Sequence, residues 1–275
     1  MARTRVRAAS RSGGSSSTLW LGVVIIVFAG AALIALLAFY LMVPRPPVLS
    51  KEDLCPLTGP RGIAVVLVDT TDDLLPTTQK EVLTILHDLI NALPAYYKLD
   101  VRVLDISNMQ SRSLFSKCNP GDGSEQSELT SNPRILRQRW LESFERPALD
   151  AVNSTLAAAK SKSSPLMAAI QDIAIADFSS EAARNIPRSL VIISDMLEFT
   201  PLYGQYPRQG DLSYDRFRQS PAYGKFRTDL HGAGVTIDYV KRPSVKIDST
   251  KHVQFWSEWI VDNRGKVDLI HELQG

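Results

Sequence analysis

The sequence predicts an α/β domain with a doubly wound, mainly parallel sheet flanked by helices, preceded by one transmembrane helix. Residues 62–68 (GIAVVLV) form a continuous apolar run, which is typical of a central strand covered on both faces. Residues 77–93 place apolar side chains at spacings of three and four, as on one face of a helix. Residues 188–195 (RSLVIISD) repeat the first pattern, so strands and helices alternate along the chain.

The other elements follow from the same periodicities. We predict two further strands and four further helices, with a polar loop rich in Ser, Asn, Gly and Pro over residues 107–133. A single domain should therefore span residues 61–265, followed by a C-terminal tail at 266–275. The strands are expected at 100–106 and 234–240, and the helices at 134–145, 148–160, 165–176 and 251–263.

The N-terminal part of the chain predicts a membrane anchor. Residues 19–43 contain no charged side chain, and about 20 apolar residues in a helix cross a hydrocarbon core of about 30 Å. The run exceeds the apolar region of a signal peptide, and no small-x-small cleavage site follows it, so we expect an uncleaved span. Four arginines make residues 1–18 a basic tail, which should stay cytoplasmic and leave the domain periplasmic or extracellular.

Residues 44–60 contain five prolines and predict a stiff stalk between the span and the domain. The two cysteines of the chain, Cys55 and Cys118, both fall in the exported part. In an oxidising compartment a disulfide between them is expected, and two unrelated buried thiols are the other interpretation.

Charge and composition restrict the class of partner. The chain has a net charge of +2, with 44% hydrophobic and 22% charged residues, an ordinary globular balance. The basic tail holds four of the positive charges, which leaves the rest of the chain slightly acidic. We therefore expect a membrane and a protein as partners, with no nucleic acid and no small-molecule substrate.

Oxygen-bearing side chains follow two of the predicted strands. Asp69, Thr71 and Asp73 come directly after residues 62–68, and Asp195 ends the later strand. Ser164 stands at the start of a predicted helix between them. Because ligands in open α/β sheets bind beyond the carboxyl ends of the strands, we expect these side chains to converge. Mg²⁺ prefers such ligands, and Mn²⁺ or Ca²⁺ would also accept them. Asp and Thr at these positions are equally typical of helix caps and turns.

These segments resemble the von Willebrand factor type A (vWA) domains, a Rossmann-like family with a metal-ion-dependent adhesion site. The DTTDD stretch is similar to the family's Asp-x-Ser-x-Ser motif, with Asp69, Thr71 and Asp73 at its three positions. SSPLMAAI is similar to the Thr-Pro-Leu segment, with Ser164 in place of Thr, and LVIISD to the fourth strand. The resemblance implies a Mg²⁺-dependent protein-binding site. Asp73 makes this version more anionic, and Met196 replaces the family's glycine after Asp195.

The expected function is that of a membrane-anchored, non-enzymatic binding module. An aromatic loop after Asp195 brings Phe199, Tyr203 and Tyr206, residue types enriched at protein interfaces, unless they only fold the loop onto the body. The alternatives are a Mg²⁺-dependent phosphoesterase using Asp69 and Asp195, or a metal-free scaffold. A dehalogenase-type phosphatase would need an acid where Thr71 stands, and the sequence has neither a nucleophile elbow nor Cys/His spacing for zinc.

Overall fold

The computed structural model of the protein describes residues 16–42, 46–71, 74–124, 131–156, 161, 163–206, 212–242 and 244–274. These fall into two compact units, Met1–Pro47 and Val48–Gly275. The first contains helix α1 (Ser16–Met42). Its segment Trp20–Met42 has a mean hydropathy of 2.9, so this helix is long and apolar enough to cross a membrane.

The second unit is built on one sheet. Its described strands lie in the order β3-β2-β1-β4-β5-β6, and only β3 runs antiparallel to its neighbour. This arrangement confirms the predicted α/β class and is consistent with a vWA-like fold. The strands are β1 (Gly62–Val68), β2 (Tyr97–Asp105), β3 (Gln110–Cys118), β4 (Arg188–Ser194), β5 (Gly234–Lys241) and β6 (Lys266–Gln274).

Helices cover both faces of the sheet. The side chains of α2 and α4 belong to one apolar cluster, and those of α5 to α8 belong to the other. The helices are α2 (Pro76–Ala92), α3 (Pro133–Trp140), α4 (Arg146–Leu156), α5 (Leu166–Ile173), α6 (Tyr214–Arg218), α7 (Pro221–Phe226) and α8 (Ser249–Asp262). Single π-helical turns at Leu141–Glu145 and Ala174–Phe178 and a 3₁₀ turn at Glu181–Ala183 extend them.

Strand β1 explains why its sequence is apolar without alternation. All seven of its residues are buried. Ile63, Val65 and Leu67 face one apolar cluster, whereas Val66 and Val68 face the other. Burying an aliphatic side chain of this size contributes about 1.5–3 kcal/mol relative to its exposure. The strand is therefore held from both sides, and its carboxyl end is a rigid base for the residues that follow.

Two predicted boundaries differ from the structure. Residues 266–275, which we predicted as a tail, contain the edge strand β6, whose Leu273 is fully buried against the sheet. Residues 107–133, predicted as a loop, contain β3, an edge strand whose sequence is polar and in which four of nine residues are exposed. Within the predicted stalk, residues 44–60, Leu49 pairs with Pro56 and the compact unit begins at Val48.

The expected disulfide is present. Cys55 and Cys118 are bonded to each other, and both are buried. The bond joins the segment ahead of β1 to the end of β3, where the amide of Cys118 also donates to the carbonyl oxygen of Asp53 at 2.8 Å. Residues ahead of Gly62 are therefore attached to the domain through covalent and backbone contacts.

Candidate functional site

The site lies where β1 and β4 end side by side. These strands are parallel neighbours, paired from Ile63 with Arg188 to Val68 with Ile193. The chain order of the sheet reverses between them, since β2 lies on one side of β1 and β4 on the other. Doubly wound folds bind their ligands at such a switch point, beyond the carboxyl ends of the strands. Asp69 and Asp195 each follow one of these two strands directly.

Asp69 accepts hydrogen bonds from several surrounding groups. Its Oδ1 accepts from the amide and the hydroxyl of Thr71, at 2.9 and 2.6 Å. Its Oδ2 accepts from the hydroxyl of Ser194 at 2.8 Å and from that of Ser164 at 3.3 Å. Asp69 as a whole is only 8% exposed. Residues 95 and 125 positions apart in sequence therefore meet on this one side chain.

Ser164 reaches Asp69 because its backbone is fixed by a second loop. It forms an isolated antiparallel bridge with Phe199, with amide-to-carbonyl distances of 3.0 and 2.9 Å in the two directions. The hydroxyl of Ser163 adds a bond to the carbonyl oxygen of Phe199 at 2.9 Å. The segment ahead of α5 and the loop after β4 are thus joined beside the ends of β1 and β4.

Asp195 is the second buried carboxylate of the site. Its Oδ1 accepts from the amide of Leu197 at 3.0 Å, and its Oδ2 accepts from the guanidinium of Arg242 at 2.9 Å. The pKa of Asp195 is raised to about 7, mainly by burial and next by the nearby negative charge of Asp69, while the contacts with Leu197 and Arg242 oppose the rise. The end of β4 that carries Asp195 lies beside Asp69, since the hydroxyl of the preceding Ser194 donates to Asp69 at 2.8 Å.

The residue after Asp195 adopts the backbone conformation of a glycine. Met196 has a φ of 60°, in the left-handed region, and its side chain is fully buried. Its amide donates to the hydroxyl of Ser194 at 2.8 Å. A side chain other than glycine in this region costs on the order of 1 kcal/mol in backbone strain.

The structure thus brings four of the predicted site residues to one place. We call this set, with the two neighbours that contact it, the carboxyl-edge cluster. It consists of Asp69, Thr71, Ser164, Ser194, Asp195 and Arg242. The fifth predicted ligand, Asp73, lies outside the described residues.

Three residues of this region were missed by the sequence analysis. Ser194 precedes Asp195 and was read only as part of a strand. Arg242 follows β5, and because β5 is parallel to β4 its end lies at the same edge of the sheet, which the strand pairing shows and the residues around Arg242 do not. Glu198 is fully buried, accepts from the amide of Met167 at 2.8 Å at the start of α5, and has its pKa raised to about 8 by burial.

The aromatic residues of the loop after β4 divide into two groups. Tyr203 packs inward, with its ring 4.9 Å from that of Phe217 and 5.9 Å from that of Phe255. Phe199 and Tyr206 contact each other edge to face at 5.3 Å, and the hydroxyl of Tyr206 lies 3.4 Å from Arg242. These last two half-buried rings therefore border the carboxyl-edge cluster.

The oxygen atoms of the carboxyl-edge cluster meet most requirements of a divalent cation. Thr71 and Ser164 donate their hydroxyl protons to Asp69, which leaves their oxygen lone pairs for a cation. Two carboxylates and two hydroxyls, completed by water, suit Mg²⁺. Arg242 competes, because it already donates to Asp195. Among the described residues, no group of three or more His, Cys, Asp or Glu side chains is placed to hold a metal, so the hydroxyls would have to serve as ligands.

The fold and the site together define a doubly wound α/β domain with a carboxylate and hydroxyl cluster at its switch point. Its fold is similar to an aerotolerance-related membrane protein from Bacteroides fragilis, with 11% identity, a TM-score of 0.35, and coverage of 77% of this chain and 90% of that one. It is also similar to the human COPII-coat protein Sec24c, with 11% identity, a TM-score of 0.41, and coverage of 79% and 30%. Similarity at this level carries no information on function. No protein-family model and no curated protein matches the chain.

Proposed function

We propose that the chain is a single-pass membrane protein whose domain binds a partner protein through the carboxyl-edge cluster. The observation that supports this most is that Ser164 and Ser194, the neighbour of Asp195, both donate to Asp69, so that three separate loops meet at the switch point. A domain that needed these residues only for turns would not require them to meet. The orientation proposed from the charge of the tail places the domain outside the cytoplasmic membrane.

The loop that borders the cluster supplies the apolar part of the proposed surface. Phe199 and Tyr206 are half-buried, and Leu202 between them is 53% exposed. Aromatic and aliphatic groups beside desolvated polar groups are the composition of a protein-binding hot spot. A surface that combines this rim with two carboxylates and a guanidinium would suit a partner that presents a charged side chain next to an apolar one.

Metal dependence is the second part of the proposal. Mg²⁺ would be held by the hydroxyls of Thr71 and Ser164 with the carboxylates of Asp69 and Asp195. In that position it would supply positive charge for an acidic side chain of the partner. Arg242 supports a metal-free version of the same function, since its guanidinium already brings a positive charge to Asp195.

Site-specific photocrosslinking tests the binding face. A benzoylphenylalanine at Leu202 of the full chain, in its native membrane, is expected to form an adduct with one partner protein. The matched control is the same group at Ile135, which is 47% exposed on α3 and contributes nothing to the cluster. An adduct at Leu202 alone supports the proposal. Equal adducts at both positions, or none at Leu202, would contradict it.

Metal binding is tested separately on the purified full chain in detergent. If Mg²⁺ binds the folded state, its addition after chelation raises the free energy of unfolding by about 2.7 kcal/mol at a hundredfold excess over the dissociation constant. Asp69→Asn should remove that increase. If Mg²⁺ does not raise the free energy of unfolding of the wild-type chain, the metal half of the proposal is refuted. The metal-free version then predicts a crosslink at Leu202 that does not change with chelation.

A further inference from the structure

A cavity lies at the amino ends of the parallel strands, opposite the carboxyl-edge cluster. It has a volume of about 270 Å³ and is lined in part by Arg184, Arg188, His231 and Arg264. Arg188 is the first residue of β4, and Arg184 lies shortly before it. His231 precedes β5, and Arg264 precedes β6. Because these strands are parallel, their starts share one edge, and the cavity is remote from the carboxyl-edge cluster. We call it the amino-edge pocket.

The amino-edge pocket is strongly positive. Three arginines line it, and Asp229 is the single acidic residue of its lining. The excess is two positive charges when His231 is neutral. A cavity lined by charges of one sign attracts ions of the other sign and raises their local concentration.

Arg188 is the fixed part of this pocket. Its guanidinium donates to the carbonyl oxygens of Ala183 and His231 at 2.5 and 2.6 Å, which holds it in one orientation. Its Nε is buried and has no hydrogen-bond partner. A buried donor without an acceptor costs about 1–3 kcal/mol, and a bound anion is one way in which that donor would be satisfied.

The other two arginines are at the rim. Arg264 is paired with Asp229, and its side chain is 74% exposed. Arg184 is exposed, and no carboxylate of the described residues contacts it. Their guanidinium groups can therefore turn toward a ligand without disrupting the packing of the domain, because neither is part of the core.

We propose that the amino-edge pocket binds a phosphate group. Arginine presents several donors in a planar fork that matches the oxygens of phosphate, and charge-assisted hydrogen bonds of this kind are roughly twice as strong as those between neutral groups. A dianion would neutralise the two excess charges, whereas an acetate ion would leave one. The phosphate could belong to a soluble ion or to a lipid headgroup, which present the same oxygens. This site is independent of the proposed protein-binding face.

The test uses the full chain in a neutral detergent, with unfolding followed by tryptophan fluorescence at constant ionic strength. Inorganic phosphate is expected to raise the melting temperature relative to chloride, and acetate to raise it less. The variant with both Arg184→Gln and Arg264→Gln should bind phosphate at least about tenfold more weakly, since each lost charge-assisted bond is worth about 1.5–3 kcal/mol. Arg139→Gln, which changes an exposed arginine on α3, is the matched control and should bind like the wild type.

A further arm distinguishes the two sources of the phosphate. Dihexanoyl phosphatidic acid, a short-chain lipid kept below its micelle concentration, either displaces inorganic phosphate or leaves it bound. Displacement assigns the site to a lipid headgroup, and its absence assigns the site to a soluble phosphate; both support phosphate binding. The proposal is overturned if phosphate has no effect on the wild-type chain beyond that of chloride, or if the double variant and Arg139→Gln respond alike.

Discussion

Two buried groups of charges in this domain use the same residue types in different ways. One is the carboxyl-edge cluster. The other, which we call the strand-face network, lies on β2 against the turn after α5. In that network Asp177 accepts from Lys98 at 2.8 Å and from Arg102 at 2.6 Å. The network consists of Lys98, Asp100, Arg102, Asp172 and Asp177, with hydroxyls from Ser111 and Ser113.

The difference lies in how the negative charge is compensated. In the strand-face network, Arg102 lies within 4 Å of all three carboxylates, and Lys98 lies within that distance of two of them. In the carboxyl-edge cluster the hydrogen bonds that the described residues make to Asp69 come from hydroxyls and an amide, and Asp195 pairs with one guanidinium, that of Arg242. A buried aspartate beside an arginine is therefore not by itself a functional site. A carboxylate whose hydrogen-bond donors are neutral keeps its negative charge, and an external partner can pair with that charge.

The largest effect on stability should come from the strand-face network. Asp177→Ala leaves Lys98 and Arg102 without their shortest contacts, and breaking a buried pair in this way costs about 3–5 kcal/mol. Urea unfolding of the full chain in detergent measures it. Asp88→Ala, which removes a carboxylate that is 74% exposed, is the control and should change little. A loss for Asp177→Ala no larger than that of the control would refute the structural role.

The next effect is a dependence of stability on pH. The pKa of Asp195 is raised to about 7 in the folded chain from an ordinary value of 3.8. The folded state therefore holds this proton more tightly, so the contribution of Asp195 is fully present below about pH 4 and is lost as the pH rises toward 7. Asp195→Asn should gain stability relative to the wild type across that window.

The effect of Asp195 is separated from that of other titrating side chains by subtracting the free energy of unfolding of the wild-type chain from that of Asp195→Asn at each pH. Glu198, whose pKa is raised to about 8 by burial, contributes in the same direction but is present in both chains. A difference in the free energy of unfolding that stays constant from pH 4 to 7 would show that Asp195 does not titrate there.

A smaller effect is expected for Arg242. Arg242→Gln removes the guanidinium that donates to Asp195 and the positive charge with it. Mg²⁺ should then bind at least about tenfold more tightly. A nearby positive charge disfavours a bound cation, and its removal is worth about 1.4 kcal/mol or more, the free energy of one pKa unit. Lys241→Gln is the control, since its partner Glu272 is exposed. Equal Mg²⁺ responses of the two variants would exclude competition between Arg242 and the metal.

The smallest effect should be that of Tyr206→Phe. The hydroxyl of Tyr206 lies at 3.4 Å from Arg242, a long hydrogen bond, and the ring contact with Phe199 is kept in the variant. The free energy of unfolding should fall by less than about 1 kcal/mol. A larger loss in thermal unfolding would mean that the rim is part of the core rather than a surface next to the cluster.

The fold was predictable where burial determines composition. The continuous apolar runs of β1 and β4 are typical of strands covered on both faces. The spacing of apolar residues in α2 is typical of a helix with one buried face. Strand β3 could not be predicted, because an exposed edge strand tolerates polar residues at most positions. The same reason explains why residues 266–275 were wrongly predicted as a tail, since β6 is the edge strand on the other side of the sheet from β3.

The site was predictable where the chemistry lies in a local motif. Asp69 and Thr71 are adjacent to β1, and their contact spans two residues. Ser164 and Asp195 followed from the order of the elements in the vWA resemblance. Arg242 was not found, because nothing near it in sequence indicates a site; its role depends on β5 lying next to β4, which is a property of the sheet.

The central claim is that the carboxyl-edge cluster serves binding rather than folding, and Asp69→Asn tests it most directly in one set of samples. Its unfolding free energy and its crosslink from Leu202 are measured together. Because asparagine keeps one acceptor oxygen for the surrounding hydroxyls, we expect a loss of stability of about 1–2 kcal/mol or less and loss of the crosslink. A crosslink that persists at the wild-type yield would contradict the account.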